Sequence, residues 1–319
     1  MKKYFLFFII FIAFAQVSEA QSIFHKKSKQ QKVAEDLKKR KKAAHEDDSS
    51  VDAPNARLNF SRDDYIWSSE TAYSVQKKTG NISVLTPSRL GLGKNFELST
   101  MLPENYLAPN LILKKSYPFK KFIWAHRHAL YSPTIGLNWA QKNGYKSIVA
   151  PEVEIPFIMS LRNELIASYQ IGSDPECSKG PPYLIFTGGL AIDAGFPFEK
   201  NYLTHINEHI LGSRSPALTG QGAFLSARLR VDGRITNAIF AEGDIKFFFG
   251  NFINNNFSFE QHAGIQLFLM RNFSITIGYT FSYGHFSNSN FKIFPYADLS
   301  IYFGKKKGRD VGLFKKGMF

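Results

Sequence analysis

One cysteine, Cys177, stands alone in 319 residues. A secreted disulfide scaffold needs pairs, so stability here has to come from burial and sheet closure. Beyond the first twenty residues there is no run of about 18 uncharged apolar residues, which excludes a spanning helix. A barrel stays open as a class, because its strands alternate and its mean hydropathy, −0.20 here, looks ordinary. GxSxG, HExxH, CxxC, the P-loop and GxGxxG are all missing. No catalytic residue, cofactor or metal is therefore expected, and the chain reads as a non-enzyme.

Charge is also scarce where it would matter for nucleic acid. The net +14 divides into +1, +7 and +5 for residues 1–20, 21–45 and 305–319, leaving +1 for 46–304. Nucleic-acid binding wants basic residues on a folded surface, so it is excluded as a partner class. The two basic tails either touch anionic periplasmic partners or are simply solvated.

The N-terminus carries Lys2 and Lys3, the apolar run YFLFFIIFIAFA and the small residues of "SEA" at 18–20. This is a secretory signal peptide over residues 1–20. Gln21 follows the expected cut; without a Cys there, a lipoprotein is not expected. Residues 21–66 are polar and charged and read as a disordered periplasmic arm. The folded part is expected over 67–304, and 305–319 form a basic tail.

Period-two alternation dominates the C-terminal half. In FSITIGYTFSYG (273–284), Phe273, Ile275, Ile277, Tyr279 and Phe281 alternate with Ser274, Thr276, Gly278, Thr280 and Ser282. Similar ribbons cover 223–231, 239–249, 259–269 and 291–303. At about ten to fourteen residues they exceed ordinary globular strands and match tilted membrane-spanning ones. Their polar rows hold charges and their apolar rows almost none. The apolar rows are expected to face lipid, with Tyr283 in an aromatic girdle. Asp232-Gly233 and Arg271-Asn272 read as tight turns, against longer loops at 251–257 and 285–290. Upstream, strands are expected at 82–91, 95–102, 109–117, 121–131, 146–157, 162–172 and 183–195. Residues 132–144 read as a short helix with Ser132 as N-cap and Gly144 past its end. Residues 197–220 read as a long extracellular loop. The expected fold is all-β: an antiparallel transmembrane β-barrel of about 12 strands in the outer membrane. An even count puts both termini in the periplasm; a soluble β-sandwich is the alternative.

Five stretches, ETAYSV (70–75), SRLGLGKNFELST (88–100), APNLILKKS (108–116), RHALYSP (127–133) and APEVEIP (150–156), resemble a largely uncharacterised family of β-barrel proteins from the Bacteroidota outer membrane. The resemblance spans roughly 70–304 and lies in strand-and-turn texture. It implies contact with outer-membrane lipid and insertion by the outer-membrane assembly machinery, and it transfers no catalytic residue. Many such barrels end on an aromatic strand terminus; here residues follow Tyr302-Phe303.

The expected lumen lining is Arg228, Arg230, Glu242, Asp244, Lys246, Glu260, His262, Gln266 and Asp298. Mixed signs on adjacent strands can plug a narrow barrel or line a water path in a wider one. Glu152, Glu154 and Glu164 add acid on the other side of the wall. The function expected is a porin-like channel, transporter or binder for a small hydrophilic or amphipathic solute. The first alternative is a structural or assembly barrel with a filled lumen. The second is a wall-embedded lipid hydrolase using His126 or His128 with Ser132. His205 and His209, with Glu208, read as loop histidines.

Overall fold

A computed structural model describes residues 67–304, apart from 120–121, 147, 172–183, 205, 207–208, 210–216, 237, 250–256, 271 and 285–289. The signal peptide, the basic arm, the C-terminal tail, Cys177, His205 and Glu208 lie outside the described residues.

Twelve antiparallel strands close into a barrel, each hydrogen-bonded to its neighbours in sequence and the last to the first. They are β1 (Gly80–Ser83), β2 (Ser88–Gly93), β3 (Phe96–Thr100), β4 (Asn110–Phe119), β5 (Phe122–Tyr131) and β6 (Ile158–Ile171). β7 (Leu184–Pro197), β8 (Ala223–Arg234), β9 (Ile239–Phe249), β10 (Phe257–Met270), β11 (Phe273–Tyr283) and β12 (Phe291–Phe303) complete the wall. Closure seals β1 to β12, with Gly80 opposite Phe303 and Ser83 opposite Ser300. Closure of this kind removes the free edges that would otherwise recruit other chains, except along 291–297 of β12, which runs on past the end of β1.

Burial along the strands is inverted relative to a soluble protein. On β8, Arg230 is 4 % exposed and its neighbour Leu229 61 %. On β11, Ser274, Thr276, Thr280 and Ser282 are buried, while Ile277 and Tyr279 are exposed. Polar rows face in and apolar rows face out, as a wall surrounded by lipid requires. Aromatic rings cluster on β10, β11 and β12 at the end away from β1's start. Phe259 lies 5.3 Å from Tyr283 and 5.9 Å from Phe281, which lies 6.1 Å from Phe291. At the opposite end Phe122 packs on Tyr169 at 4.8 Å.

The connections sort by end. The end holding Gly80 and Phe303 has the short links 94–95, 120–121, 235–238 and 271–272, with 172–183 the exception. The other end carries the long links 101–109, 132–157, 198–222, 250–256 and 284–290, with the four-residue link 84–87 its exception. Its helix α1 (Thr134–Lys142) is where the sequence expects one, but the N-cap is Pro133 without a side-chain cap bond. Ser132 instead donates its hydroxyl to the Ile158 carbonyl at 2.8 Å.

Three expectations change. The stretch 82–91 is two strands, folded at residues 84–87. The stretch 146–157 is no strand: Pro151 and Pro156 lack the N–H a ladder needs, and Val149, Val153 and Ile155 cover Leu137 of α1 instead. The two differences cancel, so the count of twelve stands. Asp232-Gly233 is not a turn either. β8 runs on to Arg234, and the chain reverses at 235–238, where the Ile235 amide donates to the Ile239 carbonyl at 2.9 Å.

Candidate functional site in the barrel lumen

The lumen is occupied by the protein's own residues 67–79, which enter from the end holding both ends of the wall. Thr71 and Ala72 have no exposed surface. Trp67 anchors the segment by an edge-on contact with Phe240, ring centroids 5.7 Å apart. Ala72 and Tyr73 share an apolar cluster with Ile123, Ile166 and Ile185 of the wall, and wall side chains grip the segment's backbone groups. Lys114 of β4 donates to the carbonyls of Ser69 and Thr71, both at 3.2 Å. Ser116 donates to the Ala72 carbonyl at 2.5 Å, and the Ala72 amide donates to Ser168 of β6 at 2.9 Å. Arg89 of β2 donates to the carbonyls of Trp67 and, at 3.3 Å, Tyr73. Glu97 of β3 accepts the Val75 amide at 2.9 Å and pairs with Arg89 at 2.7 Å and Lys114 at 3.2 Å. Such charges are tolerated without water because each is paired and hydrogen-bonded.

At mid-lumen Glu70 of the segment joins the wall's own network. Arg127 of β5 pairs with Glu70 at 2.9 Å and, closely, with Glu164 of β6. Arg228 of β8 pairs with Glu164 at 2.7 Å and with Glu70, and also donates to the Glu70 carbonyl at 2.9 Å. Beside it, Arg230 takes Asp232 in a two-pronged grip at 2.8 Å on both oxygens, the geometry in which guanidinium binds carboxylate best. It also reaches Glu242 at 2.5 Å and Asp244 at 2.9 Å.

The remaining residues of the expected lining have distinct places. His262 of β10 lies 3.3 Å from Asp244 and meets the Tyr296 ring edge-on. Lys246 stands between Arg228 and Glu260 in the strand registers, and Glu260 is buried. Gln266 donates to the Tyr302 hydroxyl at 2.6 Å and to Ser274 at 3.0 Å. Asp298 turns to the fold: it accepts the amides of Val84 and Leu85 at 3.0 and 2.7 Å and the Thr86 hydroxyl at 2.5 Å. It thereby caps the β1–β2 turn. Glu164 is in the network; Glu152 and Glu154 are exposed, outside the wall.

Sequence reasoning missed Glu70, Arg89, Glu97, Lys114 and Arg127. The available signal was a single inward charge in an otherwise apolar or small-residue strand: Arg89 in SRLGLG, Glu97 in FELST, Lys114 in NLILKKSYPF and Arg127 in FIWAHRHALY. At the far end, described residues of the link 198–222 reach the strand tops of β6 and β11. His209 is buried with Nδ1 2.6 Å from the Ser282 hydroxyl, and Ser160 donates to the Ala217 carbonyl at 2.7 Å.

The histidines singled out for hydrolysis stand on the outer wall. Tyr117 OH lies 2.7 Å from His126, which lies 3.2 Å from His128, which lies 2.6 Å from the Asn163 amide oxygen. Ser132 is bonded to Ile158 rather than to either ring. No group of three or more His, Cys, Asp or Glu suited to a metal ion occurs among the described residues.

No family model matches the sequence, and no curated protein matches it. Among solved structures, similarity is found to the outer-membrane expressed OmpT of Vibrio cholerae, at 6 % identity and a TM-score of 0.37, covering 68 % of this chain and 64 % of that one. This chain thus spans less than two thirds of that protein's length. A second similarity is to the NanC porin, at 8 % identity and a TM-score of 0.28, covering 70 % of this chain and 96 % of that one. None of these matches singles out the Bacteroidota family.

Proposed function

We propose that this chain is an outer-membrane β-barrel that binds a small hydrophilic or amphipathic solute in a lumen sealed by its own residues 67–79, and passes it only when that segment moves aside. The observation that carries this reading is how the segment is held. Arg89, Lys114, Arg127 and Arg228 grip it through carbonyls and Glu70, and Trp67, Ala72 and Tyr73 join an apolar cluster with the wall. Polar bonds can be exchanged for water one at a time, while the apolar cluster that Trp67, Ala72 and Tyr73 share with Ile123, Ile166, Ile185 and Phe240 of the wall has to part as the segment leaves.

The inverted wall supports an outer-membrane location, and with it export by the signal peptide and insertion by the assembly machinery. The Bacteroidota resemblance belongs to the same reading. In planar bilayers the full chain should be silent, and a chain with the signal peptide joined directly to Gly80 should give discrete conductance steps. Steady conduction by the full chain would overturn the sealed lumen.

The spent charges of the network favour one rival, a filled structural barrel whose 21–45 and 305–319 tails grip anionic periplasmic partners. That barrel stays silent even without residues 67–79, and deleting 21–45 releases its partner.

A further inference from the structure

The wall is low on one side. β1, β2 and β3 have 4, 6 and 5 residues, whereas β6, β7 and β10 have 14 each. At about 3.3 Å per residue and a tilt near 40°, five residues climb about 13 Å, roughly half of the ~25 Å apolar band of such barrels.

The register shows where the missing height lies. β1 flanks only Ser300 to Phe303 of β12. Residues 291–297 continue above the top of β1, with no strand on that side among the described residues. The inner row of β12 records the gap. Asp298, Ser300 and Tyr302 are buried, but Tyr296 and Phe294 are half-buried and Lys292 is exposed. Pro295 lies in this stretch. A residue without an N–H suits an unpaired edge and discourages the addition of a further strand. The gap is therefore not shaped for β-augmentation.

Beneath the gap, with Tyr296 common to both, lies a cavity of about 60 Å³, bordered by Asn81, Thr86, Arg89, Glu242, Tyr296 and Asp298. It has room for a handful of water-sized groups. Asn81 is 6 % exposed, and its amide oxygen has no hydrogen-bond partner among the described residues. Three carboxylates, Asp232, Glu242 and Asp298, face one guanidinium, Arg89, around the cavity, so its lining is acidic on balance. The lip of the gap is apolar: Val84, Leu85 and Ile293 are exposed.

We propose that this gap is a lateral entrance from the bilayer, and that it admits an amphiphile with a compact cationic amine head. The ammonium brings three donors and a positive charge to the Asn81 oxygen and the Glu242 carboxylate. The alkyl chain lies over Val84, Leu85 and Ile293. A sulfate or phosphate head would bring acceptors and negative charge to the same carboxylates. The inference rests on the reading of a sealed membrane barrel, but it uses a side route that residues 67–79 leave open.

The three tryptophans, Trp67, Trp124 and Trp139, supply the test. Trp67 borders the cavity, whereas Trp124 is 46 % exposed on the outer wall. With Trp124→Phe and Trp139→Phe, Trp67 reports alone. In nanodiscs, bromododecylamine should quench it saturably, at least tenfold tighter than bromododecyl sulfate. Glu242→Gln should weaken the amine at least tenfold. Leu85→Lys, at the lip and away from the buried ion pairs, should weaken it too. Mobility of the unheated protein on a gel verifies that each variant is folded.

Quenching that never saturates, or that is equal for both head groups, reflects partition into the bilayer and overturns the proposal. If that occurs while the full chain stays silent in planar bilayers, the lateral entrance falls and the sealed lumen stands. If the amine binds saturably while the full chain conducts, the entrance stands and the sealed lumen falls.

Discussion

Glu164 of β6 and Arg228 of β8 pair at 2.7 Å across the intervening strand β7. They meet over Gly189, which stands opposite Ile166 on one side and Arg228 on the other. A Cβ at Gly189 would lie 2.9 Å from the Glu164 oxygen and 3.3 Å from the Arg228 guanidinium. The missing side chain is what lets the network span three strands.

Gly189→Leu should therefore push the pair apart. Parting a buried ion pair is expensive, and the unfolding midpoint in urea should fall by the equivalent of about 2–3 kcal/mol. Gly188, the next residue back, faces out, and a Cβ there would meet nothing within 4 Å. Gly188→Leu should leave the midpoint within about 0.5 kcal/mol. Equal effects at the two positions would count against the crossing.

Asp298 acts by capping, and its variant should show it. Asp298→Ala removes the acceptor for two amides and a hydroxyl at the β1–β2 turn. Losing hydrogen bonds to a charged acceptor costs about 1.5–3 kcal/mol. Amide exchange at Val84 and Leu85 should accelerate, while the β6–β8 amides keep their protection. Unchanged exchange at the turn would remove the capping role.

How much of this was legible depended on what organises each segment. β8 to β12 were legible because one face of each meets polar partners and the other faces out, which writes period two into the sequence. The orientation of Ser274, Thr276, Thr280 and Ser282 followed from that alone. The hairpin after β8 was misplaced because Asp232-Gly233 has turn chemistry, while its carboxylate is held by Arg230 within the strand. Residues 67–79 left no period to read. They are bound through their backbone, and a carbonyl that accepts from Lys114 can belong to any residue.

The outer chain Tyr117–His126–His128–Asn163 has the look of a relay, yet the serine expected to complete it is bonded elsewhere. The full chain in mixed micelles should release no fatty acid from phospholipid beyond the His128→Ala background. Release that disappears in His128→Ala would revive the hydrolase reading.

The most direct measurement asks whether the lumen really contains residues 67–79. The Ala72 amide donates to the Ser168 hydroxyl at 2.9 Å, so these two positions are neighbours inside the wall. In a Cys177→Ser background, Ala72→Cys with Ser168→Cys should form a disulfide in the folded protein. The link should appear as a shift in mobility that a reductant reverses. A pair that stays reduced under oxidant in correctly folded barrel, with both thiols open to a water-soluble maleimide, would contradict the plugged lumen.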